Sequence, residues 1–409
     1  MTTQSRVIEE PTLGVRTRSR PTRSVLALTA AGLLGLLVLA GTASLTASGN
    51  LALPFTPMVT LEGGMGSKAD FFADPEVGRI LMKHHISLVV TPSGSREVAV
   101  SDLDRYDFAV TSGQPAGDLI ISRRARANRP SKVTRPFVSP LVFATYRPFA
   151  RALERAGIVT AQPGGGEQPL YYTLRVDRLL AAVDRHARWS DPDFKISDFG
   201  ERNGNEILAE TSDPCTSNRG ESYIGLLAYV RNQNQVPDAS QADRLGASIK
   251  PILEREGAPP ADAFSIFVAP EGVEAAPLIV SYEHEYLSYQ MDYRAEHGHA
   301  DDERVLLYPT PAQMSVPQFI AFDPAADRLA ELIRTDPDLR RRAMELGLRL
   351  LARGSQDRQA EEMSRFLTAK GLSSPSFSGD STRSLLPTLP VLEKMLHDVA
   401  GCENAMNGS

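Results

Sequence analysis

From residue 57 onward, short apolar runs alternate with stretches of helical period. Met58 to Leu61 predicts a strand running into Gly63-Gly64-Met65-Gly66-Ser67-Lys68. Asp74-Pro75 then opens a helix, because aspartate caps free N–H groups and proline suits the first helical position. Val77, Ile80, Leu81 and His84 supply that helix's i, i+3, i+4, i+7 face. Ile86 to Val90 is the next strand, Thr91 to Glu97 a turn into another helix start, and Tyr106 to Val110 a third strand. Strand, helix, strand, short helix, strand predicts a parallel α/β layer.

The run RPFVSPLVFATY (135–146) predicts a strand leaving that layer. Helices are expected from Leu174 to Ala187, from Glu221 to Val230 and from about Glu283, and strands at Ala276 to Tyr282, Arg304 to Tyr308 and Phe319 to Phe322. A helix beginning at Asp336-Pro337 places Leu339, Ala343, Leu346 and Leu350 on one face. Residues 371–381 read as a Ser/Gly-rich linker, and Val391 to Val399 as a terminal helix just before Cys402.

The N-terminus bears on the compartment. Residues 1–24 carry five arginines against two glutamates, and Val25 to Ala47 holds no charge. That stretch makes ~35 Å of helix, enough to cross a hydrocarbon core of about 30 Å. A buried core helix is disfavoured, because nothing polar marks a solvent face. Arginines before the segment put the N-terminus in the cytoplasm. Residues 25–47 are then either an uncleaved single-pass anchor, the reading we favour, or a signal peptide cut near Gly41-Thr42-Ala43 to release a secreted protein. Leu39-Ala40-Gly41 would suit a lipobox, but Thr42 stands where cysteine is required.

Of the 409 residues, 42% are hydrophobic and 23% charged, which excludes disorder of the whole chain. The net charge is -6; residues 1–47 contribute +3, so the exported remainder carries -9, which argues against nucleic acid as a partner. Two cysteines exclude a disulfide scaffold or a multi-cysteine zinc protein. Outside the cytoplasm, a Cys215–Cys402 disulfide is expected in preference to two free thiols.

Three segments place small and hydroxyl residues between a strand and a helix: Gly63–Lys68, Ser93–Arg96 and Ser212–Gly220. Such turns leave backbone N–H groups free at a positive helix end, where a ligand oxyanion can sit, with Lys68 and Arg96 as fixed charge. Taken singly, each is more simply a cap. There is no GxSxG, HExxH, CxxC or GxGxxG, and Lys68 follows Ser67, so no nucleotide-type phosphate loop is present. No metal site or cofactor is expected. Residues 296–302 (EHGHADD) hold ligand types but read more simply as a solvated loop, and Trp189 as core.

The order of GGMGSKADFFADPEVGRIL (63–81), VTPSGSRE (90–97), YDFAVTSGQPA (106–116), PLVFATYRP (140–148), SDPCTSNRG (212–220), PLIVSYEHEYL (277–287) and VLLYPTPAQMSVPQFIAFDP (305–324) resembles bacterial extracytoplasmic solute-binding proteins of the type 2 periplasmic-binding fold. The resemblance spans about 55–352. It implies an α/β fold of two lobes around a cleft, preceded by the transmembrane or signal helix. The corresponding division is a leader (1–24), the apolar segment (25–47), a linker (48–56), lobe one (57–130), lobe two (131–280), the return to lobe one (281–370) and a tail (371–409). Ligand groups carried over fall on Gly66, Ser67, Lys68, Ser95, Arg96 and Ser112 of lobe one, on Ser217 and Asn218 of lobe two, and on Tyr282 and Glu283 at the second crossover. The implied role is non-catalytic: capture of a small polar or anionic solute, presented to an ABC permease or another membrane protein. Two rivals remain. One is a membrane-tethered interaction protein with a receptor-like fold and no small ligand. The other is a metal-dependent enzyme using His284 or the 297–302 loop.

Overall fold

The computed structural model describes residues 57–66, 69–163, 167–260, 262–351, 356–376 and 382–403. The leader, the apolar segment 25–47 and the linker lie outside the described residues. Among those described, no helix is long and apolar enough to cross a membrane.

The first sheet holds β1 (Val59–Met65), β2 (Ile86–Pro92), β3 (Phe108–Thr111), β4 (Lys132–Thr134) and β11 (Gln318–Ala321) in the order β2-β1-β3-β11-β4. β1 is parallel to β2 and β3, as the alternation predicts, while β11 runs antiparallel to β3 and β4. Helices cover both faces. One face buries Phe71, Ile80, Phe108, Phe319 and Leu339; the other buries Val98, Leu119, Ile120 and Ile320. The helix α1 (Pro75–Lys83) starts where the sequence says: Asp74 accepts the N–H groups of Glu76 and Val77 at 3.1 and 3.0 Å. Two further helices, α2 (Ser95–Val100) and α3 (Gln114–Arg126), begin at the carboxyl ends of β2 and β3.

The second sheet is built on β5 (Phe137–Tyr146), every residue of which is buried. Around it lie β6 (Val159–Ala161), β7 (Tyr171–Arg175), β8 (Leu278–Tyr282), β9 (Arg304–Thr310), β10 (Gln313–Ser315) and β12 (Arg349–Leu350), with the main path β10-β5-β9-β7-β6. Its core holds Trp189, Phe143 and Tyr223, the last on α4 (Asn218–Arg231), beside α5 (Ala242–Glu256) and α6 (Glu283–His297). Two sheets joined by an outward and a return crossover match the two-lobed arrangement.

The crossovers differ from the expected boundaries at 131 and 281. β4 still belongs to the first sheet, and the chain returns only at β11, because β8 and β9 both pair antiparallel with β5: Tyr282 lies opposite Leu141, and Arg304 opposite Tyr146. Leu174 belongs to β7 rather than to the following helix, which covers Val176–Asp184. The helix Pro337–Glu345 is capped by Asp336 and buries Leu339 and Ala343, but it stops before Leu346; Gly347 turns the chain at a φ of 74°, and Leu350 is buried from β12 instead.

The tail is no separate appendage. Ser384 donates its backbone N–H to Ala312 O at 2.9 Å, and α7 (Leu389–Ala400) buries Leu392, Met395 and Leu396 in the core of the second lobe. α7 also touches α3 of the first lobe. Cys402 is bonded to Cys215, with Cα atoms 5.1 Å apart.

Candidate functional site

A cavity of about 690 Å³ lies where the carboxyl ends of β1 and β3 face the loop before α4. The first lobe contributes Gly66, Ser93, Ser95 and Ser112; the second contributes Ser212, Asp213, Thr216, Ser217, Arg219 and Glu285. The hydroxyls are ordered. Ser95 Oγ donates to Ser112 Oγ at 3.0 Å and accepts the Ser112 N–H at 2.9 Å. Across the cavity, Ser212 Oγ donates to Ser217 Oγ at 3.0 Å, and Ser217 caps α4 by accepting the Arg219 N–H at 3.2 Å.

The lobes are in contact beside the cavity. Arg96 donates its backbone N–H to Thr216 O at 3.2 Å. A Cβ on Gly94 would stand 2.1 Å from that same carbonyl, so only glycine permits the approach.

Arg219 is the cationic side chain of the wall. It is 6% exposed, pairs with Glu285, lies 5.4 Å over the Tyr282 ring, and its buried Nε has no partner among the described residues. Asp70, Asp213, Asp262 and Glu285 also line the cavity, so the wall as a whole is acidic. Three of these carboxylates already serve the protein. Asp213 accepts the Cys215 N–H at 2.8 Å, Asp262 caps a helix through the N–H groups of Phe264 and Ser265, and Glu285 accepts the Tyr282 N–H at 2.9 Å.

The residues singled out in the sequence divide into groups. Gly66, Ser95, Ser112 and Ser217 line the cavity. Asn218 and Tyr282 sit behind it, joined by an Asn218 Nδ2 to Tyr282 OH bond of 2.9 Å; burial pushes the Tyr282 phenol up to about 12, so it stays neutral. Ser67 and Lys68 lie outside the described residues. Arg96 and Glu283 are committed elsewhere. The Arg96 guanidinium, 3% exposed, is held bidentately by Glu393 of α7, lies 3.2 Å from Glu221 Oε1, and donates to Glu403 O at 3.0 Å. Glu283 is fully buried against Arg349, whose Nη2 is 2.9 Å away, and accepts the Tyr308 hydroxyl at 2.6 Å. Two residues on, the helix has turned about 200°, which brings Glu285 rather than Glu283 to the cavity.

Arg219 was missed although it stands inside a quoted segment. Its signal is a misfit: a cation in a helix's first turn opposes the dipole and needs another reason to be there. Of the residues considered for metal chemistry, His284 is buried with Nδ1 3.1 Å from Ser139 Oγ, and Asp301 pairs with Arg304 at 3.0 Å. Among the described residues no group of three or more ligating side chains is placed to hold a metal.

The network around Arg96 responds to pH. Glu221 is fully buried, its Oε2 has no partner among the described residues, and burial, aided by nearby Glu393, pushes its carboxyl up to about 8. Burial likewise pushes Glu256 to about 8, its carboxyl tucked against the Tyr223 hydroxyl at 3.0 Å. An acid whose folded pKa exceeds its ordinary 4.5 binds more protons folded than unfolded between those values, so stability falls as pH rises through that window. The unfolding midpoint is therefore expected to decline from pH 5 toward pH 8, and Glu221→Gln to flatten the decline. A midpoint that climbs over this range would refute the assignment.

No protein-family model matches this sequence, and no curated protein matches it. Its structure is similar to solved periplasmic binding proteins. Iron-bound HitA from Pseudomonas aeruginosa aligns over 83% of this chain and 99% of its own, at 12% identity and a TM-score of 0.49. AfuA from Actinobacillus pleuropneumoniae, with fructose-6-phosphate bound, aligns over 82% and 93% at 8% identity and 0.47. The sulfate-binding protein SubI from Mycobacterium tuberculosis H37Rv aligns over 77% and 96% at 13% identity and 0.41.

Proposed function

We propose that this chain is an extracytoplasmic solute-binding protein, tethered through residues 25–47, that holds a small polar ligand between its lobes for a membrane partner. The observation that carries the reading is Arg219. It is buried at the wall of a cavity where hydroxyls from both lobes converge, and it keeps an unmatched N–H donor. An acceptor on the ligand, most simply a carboxylate or phosphate oxygen, meets that donor together with Ser95, Ser112 and Ser217. The carboxylates of the wall oppose a multiply charged anion, so the remainder of the ligand offers hydroxyl or ammonium donors.

Titration calorimetry with inorganic phosphate, sulfate, glucose-6-phosphate and glutamate tests this. At least one probe is expected to bind, and Arg219→Gln to weaken it by about tenfold or more, the worth of a hydrogen bond to a charged group. Binding that ignores Arg219→Gln, or no binding by any probe, overturns the reading.

The rival, a membrane-tethered interaction protein with no small ligand, is favoured by the Arg96 network, which holds the lobes together across buried carboxylates. On that reading none of the probes binds, and the surface formed by both lobes and the tail docks the partner.

A further inference from the structure

Beside the central cavity, sharing Asp213, Pro259 and Pro260 with it, lies a second one of about 410 Å³, walled by residues 210–214, the end of α5 and the last turn of α7. Its surface is of two kinds. Leu253, Val399 and the three prolines are apolar, whereas Glu210, Asp213, Glu254 and Glu256 are acidic. Lys250, the basic residue of the wall, is exposed.

The acidic side is unmatched. The Glu210 carboxylate, half-buried, has neither an ion pair nor a hydrogen bond among the described residues, and burial alone raises its pKa. Glu256 accepts the Tyr223 hydroxyl and makes no ion pair among the described residues, and burial pushes it up too, against the nearby Arg255. Thr211, 5% exposed, lines the same cavity with a buried hydroxyl that has no partner among the described residues. A metal ion does not answer this arrangement, since no three ligating side chains converge among the described residues and half the wall is hydrocarbon. A cation with an apolar body answers both halves at once.

We propose that this second cavity binds a small organic ammonium ion, its charge against Glu210, one N–H on Thr211 Oγ1, and its hydrocarbon body on Leu253, Val399 and the prolines. The site is independent of the ligand assigned to the central cavity. It would also report on the tail, since part of its wall is the end of α7 next to Cys402.

Calorimetry and thermal shift on the full chain with n-pentylamine, against pentanoate and 1-pentanol as matched controls, test the proposal. Pentylamine is expected to bind and raise the unfolding midpoint while neither control does. Glu210→Gln should lower its affinity by about tenfold or more. Glu210 is half-buried and unpaired, so its amide should fold; Thr211→Val supplies a second variant with the same expected loss. Equal effects from pentanol, unchanged affinity in both variants, or no amine binding overturns the proposal. Oxyanion binding without amine binding sinks this site alone, and the converse result sinks only the central reading.

Discussion

Arg96→Met is expected to destabilise the protein by about 3–5 kcal/mol, the usual loss when one partner of a buried ionic cluster is removed. The wild-type guanidinium holds two acids at once: the Glu393 carboxylate bidentately and the Glu221 carboxyl through Nη1. Both acids are essentially unexposed, so neither recovers solvation when the arginine is gone. Equilibrium urea unfolding measures the loss. Removing the whole cluster, as Arg96→Met with Glu221→Gln and Glu393→Gln, should restore most of it, because no buried charge is then stranded. A single variant within about 1 kcal/mol of the parent, the range of an exposed pair, would refute the account. The cluster also joins three elements: α2 of the first lobe, α4 of the second, and α7 of the tail. Small-angle scattering should therefore find the Arg96→Met protein, under folding conditions, larger in radius of gyration than the parent. An unchanged radius would mean that the apolar contacts of α7 alone hold the lobes together.

The division of labour between sequence and structure follows from range. Strands such as Ile86–Pro92 and helices such as Pro75–Lys83 were legible because their signals are local: an apolar run, a capping aspartate, a proline one residue later. Sheet membership was not. Leu278–Tyr282 and Arg304–Thr310 are apolar runs no different in kind from β1, and only pairing with β5 assigns them to the second sheet. The same limit hides the partners of two site residues. Arg96 stands at a helix start, where a ligand-binding cation is reasonable, but its partner Glu393 is 297 positions away. Glu283 follows a strand end, but Arg349, 66 positions on, occupies its carboxylate. Ser95, Ser112 and Ser217 line the cavity because a turn between strand and helix exposes its small residues at one place, whatever the rest of the chain does.

Replacing both cysteines by serine should remove about 5 kcal/mol, the chain-entropy value for a loop closed between residues 187 positions apart. Two features of this bridge set it apart from a surface staple. Cys402 is 3% exposed and follows α7, whose Val391, Leu392, Met395, Leu396 and Val399 are buried in the second lobe's core. Cys215 lies within the 212–217 turn, one residue before Thr216, whose carbonyl receives the Arg96 N–H, and two before the α4 cap Ser217. Breaking the bond therefore frees a core helix at one end and loosens the cavity wall at the other. Two readouts should move together: the urea midpoint falls, and any probe bound in the central cavity loses affinity. A serine that kept affinity while losing stability would mean that the turn is held by its own bonds, Asp213 to Cys215 N–H and Ser217 to Arg219 N–H. Reductant added to the native protein should reproduce the cysteine-to-serine result and leave the serine variant unaffected. A native protein whose midpoint and affinity both withstand complete reduction, verified by thiol counting, would show that the packing of α7, and not the covalent link, fixes the tail and the turn.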